Sequence, residues 1–186
     1  MINFNMKKVN TIEYFYREDG MLEKENHFRY EGNSIKVTTI EYKEFINNVF
    51  IGYIDGIQHS STTYNEDGKI SMKLVINGKI SLSASFKYGK HGLSKLIKND
   101  KEIEYFYDKD GIISFMRFNG DESTDIIVEI LGNQLIYIDP DGNTYKTETY
   151  DEYGNLIYEN HGTYCIKKEY NRKGLLIKSE MYSNVL

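Results

Sequence analysis

The fold is decided by a short motif, Tyr150-Asp151-Glu152-Tyr153-Gly154-Asn155-Leu156, in which an aromatic residue, three mostly polar residues, a Gly and an aliphatic residue follow in order. Clear copies of this motif begin at Tyr16, Tyr64, Tyr107 and Tyr170. Weaker copies cover residues 88–92 and 138–142. The spacing between copies is irregular, so the chain carries a degenerate internal repeat with insertions or decayed copies.

The motif has the chemistry of a tight turn between two strands. Gly at the fifth position supplies a positive φ, and the Asp or Asn before it can bond to nearby backbone. Between turns the side chains alternate, for example Leu82, Ala84 and Phe86 against serines. A second class of turns splits each repeat, at Asn77-Gly78, Asn119-Gly120, Gly132-Asn133 and His161-Gly162. We therefore predict an all-β, single-domain fold over residues 1–186, an antiparallel meander of repeated β-hairpins in a strongly twisted or curled sheet.

Two segments are ambiguous between helix and strand. Residues 41–50 place Phe45, Ile46 and Val49 on one helical face, but they could equally be a strand whose turn has decayed. Residues 93–98 follow Gly92, which fits the repeat. We favour strand in both segments.

Composition narrows the function and the compartment. The 186 residues include 17 Tyr, one Pro, no Trp and a single Cys, which excludes a disulfide scaffold. A net charge of −5 weighs against nucleic-acid binding. We find no signal peptide and no apolar run long enough to cross a membrane, so we expect a native N-terminus and a cytoplasmic protein. Cys165 lies in an alternating stretch, where a thiol is typically a small core residue.

The paired Tyr-Asp and Gly positions at Tyr150, Asp151 and Gly154, repeated as Tyr170, Asn171 and Gly174, resemble the YD repeats of RHS and teneurin-type proteins. The resemblance touches most of the chain and is strongest in its last third. It implies repeated β-hairpins in a long sheet, which in that family spirals into a shell around a toxin. With the seven copies of the motif named above, this chain is too short for a closed shell of that kind. MORN-type repeats are the second choice, and the aromatic repeats of clostridial toxins and cell-wall-binding proteins fit less well.

Residue patterns for catalysis or metal binding are weak. The Asp-x-Asp-Gly pieces at Asp108 and Asp139 lack the Glu that closes a calcium loop. The four His are scattered without zinc-site spacing, and nothing around Cys165 would activate it as a nucleophile. Paired carboxylates such as Glu102 and Glu104 fit a solvated strand face. We predict a protein that is not an enzyme, with no catalytic residue, metal or cofactor.

The aromatic residues suggest a contact surface. Neighbours in a strand point to opposite faces, so triplets such as Tyr105-Phe106-Tyr107 put rings on both sides of the sheet. These rings could simply plate a thin, unclosed sheet, or they could bind a partner. For the binding alternative we select residues in two repeats: Tyr105, Tyr107, Asp108, Asp110, Tyr150, Asp151 and Tyr153.

The function that we favour is recognition of a protein partner. Our specific hypothesis is an immunity or antitoxin protein that binds and neutralises a toxin, because an acidic face would suit a basic toxin domain. The alternative is a carbohydrate or cell-envelope binding module whose Tyr rings stack on sugars, and a hydrolase is third. We expect no nucleic-acid or membrane partner, and homo-oligomers could form through sheet edges.

Overall fold

The computed structural model describes residues 6–77 and 79–184, and these residues form an all-β structure. The expectation of an antiparallel, all-β meander is confirmed. Within the described residues there are sixteen strands, with these bounds: β1 Met6–Tyr16, β2 Leu22–Glu31, β3 Ser34–Ile46, β4 Val49–Ile54, β5 Ile57–Tyr64, β6 Ile70–Asn77, β7 Lys79–Gly89, β8 Gly92–Lys98, β9 Lys101–Tyr107, β10 Ile113–Phe118, β11 Asp121–Leu131, β12 Gln134–Ile138, β13 Thr144–Tyr150, β14 Leu156–Asn160, β15 Tyr164–Tyr170 and β16 Leu176–Asn184.

The strands pair in chain order, each with the strand before it and the strand after it. β1 also pairs with β16, with Met6 opposite Asn184 and Glu13 opposite Lys178. The order of strands is therefore closed, as in a barrel. This closed order is more specific than the curled meander that the sequence predicts, and it replaces our picture of an unclosed sheet.

Both ambiguous segments are strands. β3 runs to Ile46 and β4 begins at Val49, joined by Asn47 and Asn48, which both have positive φ. Asn tolerates this conformation better than most residues with a side chain, so two Asn residues perform here the turn that Gly performs elsewhere. Residues 93–98 lie within β8.

The five-residue turns share one hydrogen-bond pattern. In residues 151–155, the N–H of Asp151 donates to the carbonyl of Asn155 at 2.9 Å, and the N–H of Gly154 donates to the carbonyl of Asp151 at 3.1 Å. The same two bonds recur in residues 17–21, 65–69, 108–112, 139–143 and 171–175. The Gly of each of these turns has a positive φ, +81° at Gly154, which explains the fixed Gly of the motif.

The tyrosine at the head of the motif ties neighbouring repeats together. The hydroxyl of Tyr170 donates to the carbonyl of Leu156 at 3.0 Å, and that of Tyr107 donates to the carbonyl of Leu93 at 2.7 Å. Equivalent bonds join Tyr16 to Leu176 and Tyr88 to Ile70. Each acceptor is an aliphatic residue just after the Gly of another turn, so the motif bonds to itself across the sheet.

The other predicted turns are also present. Asn119 and Gly120, Gly132 and Asn133, and His161 and Gly162 all connect strands. Gly78 lies outside the described residues, so the turn predicted at Asn77-Gly78 is described only as far as Asn77.

The chain divides into two compact units, which we describe separately. Unit 1 comprises Met1–Glu41, Ile130–Ile136 and Thr144–Leu186, and unit 2 comprises Tyr42–Glu129 and Tyr137–Asn143. In unit 1 the buried residues include Thr11, Cys165 and Glu180. In unit 2 they include apolar side chains from several strands: Phe50, Ala84, Met116, Ile126, Val128 and Tyr137. Cys165 is completely buried, as expected of a core thiol. The prediction of one domain over residues 1–186 stays a prediction.

Candidate partner-binding surface

The predicted aspartates at the first position of the turn hold the turn itself. Oδ1 of Asp108 accepts hydrogen bonds from the N–H groups of Asp110 and Ile112, both at 2.9 Å. Oδ1 of Asp151 accepts from the N–H groups of Tyr153 at 3.0 Å and Asn155 at 2.8 Å. The hydrogen bond from the Asn155 side chain stabilises the charged form and lowers the pKa of Asp151.

The predicted tyrosines of the strands are also engaged within the fold. Tyr107 donates to the backbone of the neighbouring repeat, and burial raises the pKa of its hydroxyl. The hydroxyl of Tyr150 donates instead to Oε2 of Glu148 at 2.8 Å. Burial raises the pKa of the Tyr150 hydroxyl, and the hydrogen bond to Glu148 raises it further. Tyr105 is half-buried in β9.

The structure places the seven predicted residues in two separate groups. Tyr105, Tyr107, Asp108 and Asp110 belong to unit 2, whereas Tyr150, Asp151 and Tyr153 belong to unit 1. Tyr153 is 81% exposed. Asp110 is exposed in its turn. Asp108 is exposed as well, so these three side chains are the members of the predicted set that are open to a partner.

A group of carboxylates that the sequence analysis did not select lies at one end of unit 2. Successive strands are antiparallel, so every second turn falls at the same end of the sheet. The turns after β4, β6, β8, β10 and β12 share one end, and the side chains around the turn after β6, at residues 77–81, lie outside the described part of the structure. The other turns expose five acidic residues, which we call the acidic turn end: Asp55, Asp100, Asp121, Glu122 and Asp141. Lys98 and Lys101 are the exposed cations flanking the turn at Asp100.

Hydrogen bonds within the turn and the backbone conformation account for the Asp residues at these positions. Oδ1 of Asp121 accepts from the Ser123 hydroxyl at 2.8 Å and from its N–H at 2.9 Å, and these bonds lower the pKa of Asp121. Asp55 and Asp100 sit at positive φ, a conformation that Asp accepts in two-residue turns. Glu122, next to Asp121, forms an ion pair with the Arg117 guanidinium at 3.5 Å, which offsets part of the negative charge at this end.

The opposite end of unit 2 has a mixed charge. Its turns after β5, β7 and β9 expose Glu66, Asp67, Asp108 and Asp110, but also the cations Lys69, Lys90 and Lys109. The two ends therefore differ in charge although both are built from turns. The sequence did not reveal this difference. The end on which a turn falls depends on the number of strands before it, and the boundary between β3 and β4, at Asn47, has no Gly to mark it.

A buried carboxylate in unit 1, Glu180, is held by several ion pairs and hydrogen bonds. Glu180 is buried and accepts hydrogen bonds from Lys8, from Lys178 at 3.1 Å and from the Tyr182 hydroxyl at 2.9 Å. Burial alone would raise its pKa, but these bonds outweigh burial and lower the pKa of Glu180 to about 2. All four side chains are mutually satisfied, so the cluster is a structural element of the sheet.

The described residues contain no helix long and apolar enough to span a membrane. Within the same residues, no group of three or more His, Cys, Asp or Glu side chains is arranged to hold a metal ion.

No family model matches the chain, and no curated protein matches its sequence. Among solved structures it is similar to a porin-like protein from Bacteroides uniformis, with 13% identity, 96% of each chain covered and a TM-score of 0.52. This similarity concerns the fold alone. Lower similarity relates it to the TcdB2–TccC3 complex, with 13% identity and a TM-score of 0.38, and to the Tc holotoxin pore of Photorhabdus luminescens, with 13% identity and a TM-score of 0.36. The alignments cover 90% and 87% of this chain, but only 11% and 10% of those chains.

Proposed function

We propose that this chain is a non-enzymatic protein-binding β-repeat domain whose acidic turn end docks on a basic surface of a protein partner. The observation that carries the proposal is the concentration of Asp55, Asp100, Asp121, Glu122 and Asp141 on alternate turns of unit 2. Clustered charges of one sign steer an oppositely charged partner and raise its rate of association.

The partner that best fits this chemistry is a basic toxin domain, and the chain is then an immunity or antitoxin protein of the cytoplasm. A domain that binds nucleic acid carries a cationic surface, which an acidic set of turns covers by matching charge. The YD-type repeat is a suitable scaffold for this role. Its Asx-stabilised turns and the tyrosine hydroxyl bonds fix the backbone from which the charges project.

The proposal is tested with two variants that remove the same number of negative charges from unit 2. The test variant combines Asp55→Asn, Asp100→Asn and Asp141→Asn. The control variant combines Glu66→Gln, Asp67→Asn and Asp110→Asn at the opposite end. The probe is a purified basic toxin domain, taken from a neighbouring gene that encodes one, and affinity is measured by calorimetry at several salt concentrations.

We expect the test variant to bind roughly tenfold more weakly, since three rim charges contribute about 0.5 kcal/mol each. We expect the control variant to bind as the wild type does, and binding of the wild type to weaken with salt. Equal losses in both variants would show that net charge alone matters and would contradict docking at the acidic turn end. No binding or inhibition of the toxin domain would reject the toxin partner.

A carbohydrate-binding function is the second candidate, and exposed rings in unit 1 favour it. Tyr153 and Tyr145 are exposed at 81% and 48%, and an exposed Tyr ring can stack on a sugar. A glycan array separates this candidate from the first, because Tyr153→Ala would reduce sugar binding and leave toxin binding intact.

A further inference from the structure

The first half of β3 is exposed on both faces. Every residue from 34 to 38 is exposed, and Ile35 and Val37 retain 58% and 57% of their accessible surface. β2 pairs with one edge of this segment in a continuous register, from Ser34 opposite Glu31 to Glu41 opposite Lys24. No bulge and no Pro interrupts the segment, so it lacks two common protections of an edge strand.

The other backbone edge of the segment points away from β2. Glu31 and Ser34 close a two-residue turn, so they form a hydrogen-bonded pair, and bonded and non-bonded pairs alternate from there. The N–H and C=O groups of Ile35 and Val37 therefore point away from β2. The neighbour of β3 on this side is β4, which follows it through the two-residue turn at Asn47 and Asn48. Because β4 has only 6 residues, pairing from this turn reaches back no further than Glu41, so residues 34–38 lie beyond the end of β4.

One face of this hairpin is apolar. Phe28 lies opposite Val37 and Tyr30 lies opposite Ile35, and the period of two puts all four side chains on the same face. The opposite face is charged, and its charges are partly paired within the hairpin. There Glu31 bridges Arg29 at 3.0 Å and Lys36 at 2.8 Å.

We propose that the free edge at residues 34–38 pairs antiparallel with the same edge of a second copy of this chain, about a two-fold axis at Val37. In this register Val37 faces Val37, Lys36 faces Thr38 and Ile35 faces Thr39, so no like charges stand opposite one another. The alternative axis at Lys36 would oppose two lysines, which is unfavourable. The segment is thus complementary to itself, and the apolar faces of the two hairpins become continuous.

The predicted dimer is weak. Pairing five residues buries well under the ~1,200 Å² of ordinary specific interfaces. We therefore expect a monomer–dimer equilibrium with a dissociation constant on the order of 100 μM.

Single cysteines test the register directly. The native Cys165 is completely buried and stays unreactive, so an introduced thiol reports alone. In the proposed pair the two Val37 Cα atoms lie about 5.5 Å apart, within disulfide range. In the matched control Ser34→Cys the two Cα atoms lie about 20 Å apart, because residue 34 faces residue 40.

We expect Val37→Cys to form a disulfide-linked dimer under mild oxidation, while Ser34→Cys stays monomeric. Any other pattern overturns the proposal, including equal cross-linking of both variants, which would report random collision. Sedimentation of the whole chain over about 10 to 500 μM provides an independent measurement by mass action. Val37→Lys is expected to abolish the dimer, whereas Ile57→Lys, at another exposed apolar residue, leaves it intact. A wild type that is monomeric throughout this range refutes the dimer.

Discussion

The hydroxyl bond of the motif tyrosine predicts a measurable loss of stability in Tyr170→Phe. In the wild type this hydroxyl donates to the Leu156 carbonyl at 3.0 Å, and burial raises its pKa, as expected of a poorly hydrated site. Removing the donor keeps the ring and its packing, but it leaves the half-buried carbonyl without that partner. A bond of this kind contributes about 1 kcal/mol to the free energy of unfolding, so we expect the melting temperature to fall by about 2–4 °C.

The measurement is urea and thermal unfolding followed by circular dichroism. The control is Tyr153→Phe, which removes an equivalent hydroxyl from a residue that is 81% exposed and is expected to change nothing. Adding Tyr107→Phe should double the loss, since the two bonds share neither donor nor acceptor. A Tyr170→Phe protein as stable as the Tyr153→Phe control would refute the role given to the bond.

Three further predictions concern charges and turns. The pKa of Glu180 is lowered from 4.5 to about 2, so its ion pairs stabilise the fold above pH 4.5 and this stabilisation is lost as the pH falls toward 2. The loss is at most about 3 kcal/mol of the free energy of unfolding. Glu180→Gln should not show it when unfolding is measured across an acid titration. Gly154→Ala should cost about 1 kcal/mol in urea unfolding through its φ of +81° alone, because no atom lies within 4 Å of the added Cβ. Asp108→Ala removes the acceptor of two N–H groups and should lower the free energy of unfolding by about 1 kcal/mol. Asp110→Ala, in the same turn, should leave it unchanged in the same assay. Equal effects of the two substitutions would contradict the assignment of an Asx turn.

The turns and strands could be predicted from the sequence because their signals are local. Gly at positive φ and an Asx side chain that bonds two residues ahead act within one motif, so the turns at Asp108 and Asp151 were predictable. The pairing of β1 with β16 was not, since its register depends on the twist of every strand between them. The turn at Asn47 and Asn48 shows the limit of the Gly signal, because two Asn residues adopt the same conformation.

The candidate surface was less predictable for a related reason. The residues that mark the repeat, such as Asp108 and Tyr107, hold the turn and bond to the neighbouring strand. The motif therefore identifies residues with a structural role. A binding surface consists of exposed side chains that have no such role. Asp55 lies outside the motif and Asp141 lies inside a weak copy of it, and their common end of unit 2 is found only once the strands are counted.

The pairing of β1 with β16 also affects how the chain folds as it is synthesised. β1 can join β2 as soon as that hairpin leaves the ribosome, but its other partner is made last. During translation the outer edge of β1 therefore stays open while fourteen further strands are added. An open edge in an incomplete chain invites pairing with other chains. Slow translation or truncation before Leu176 would consequently favour aggregation over native folding.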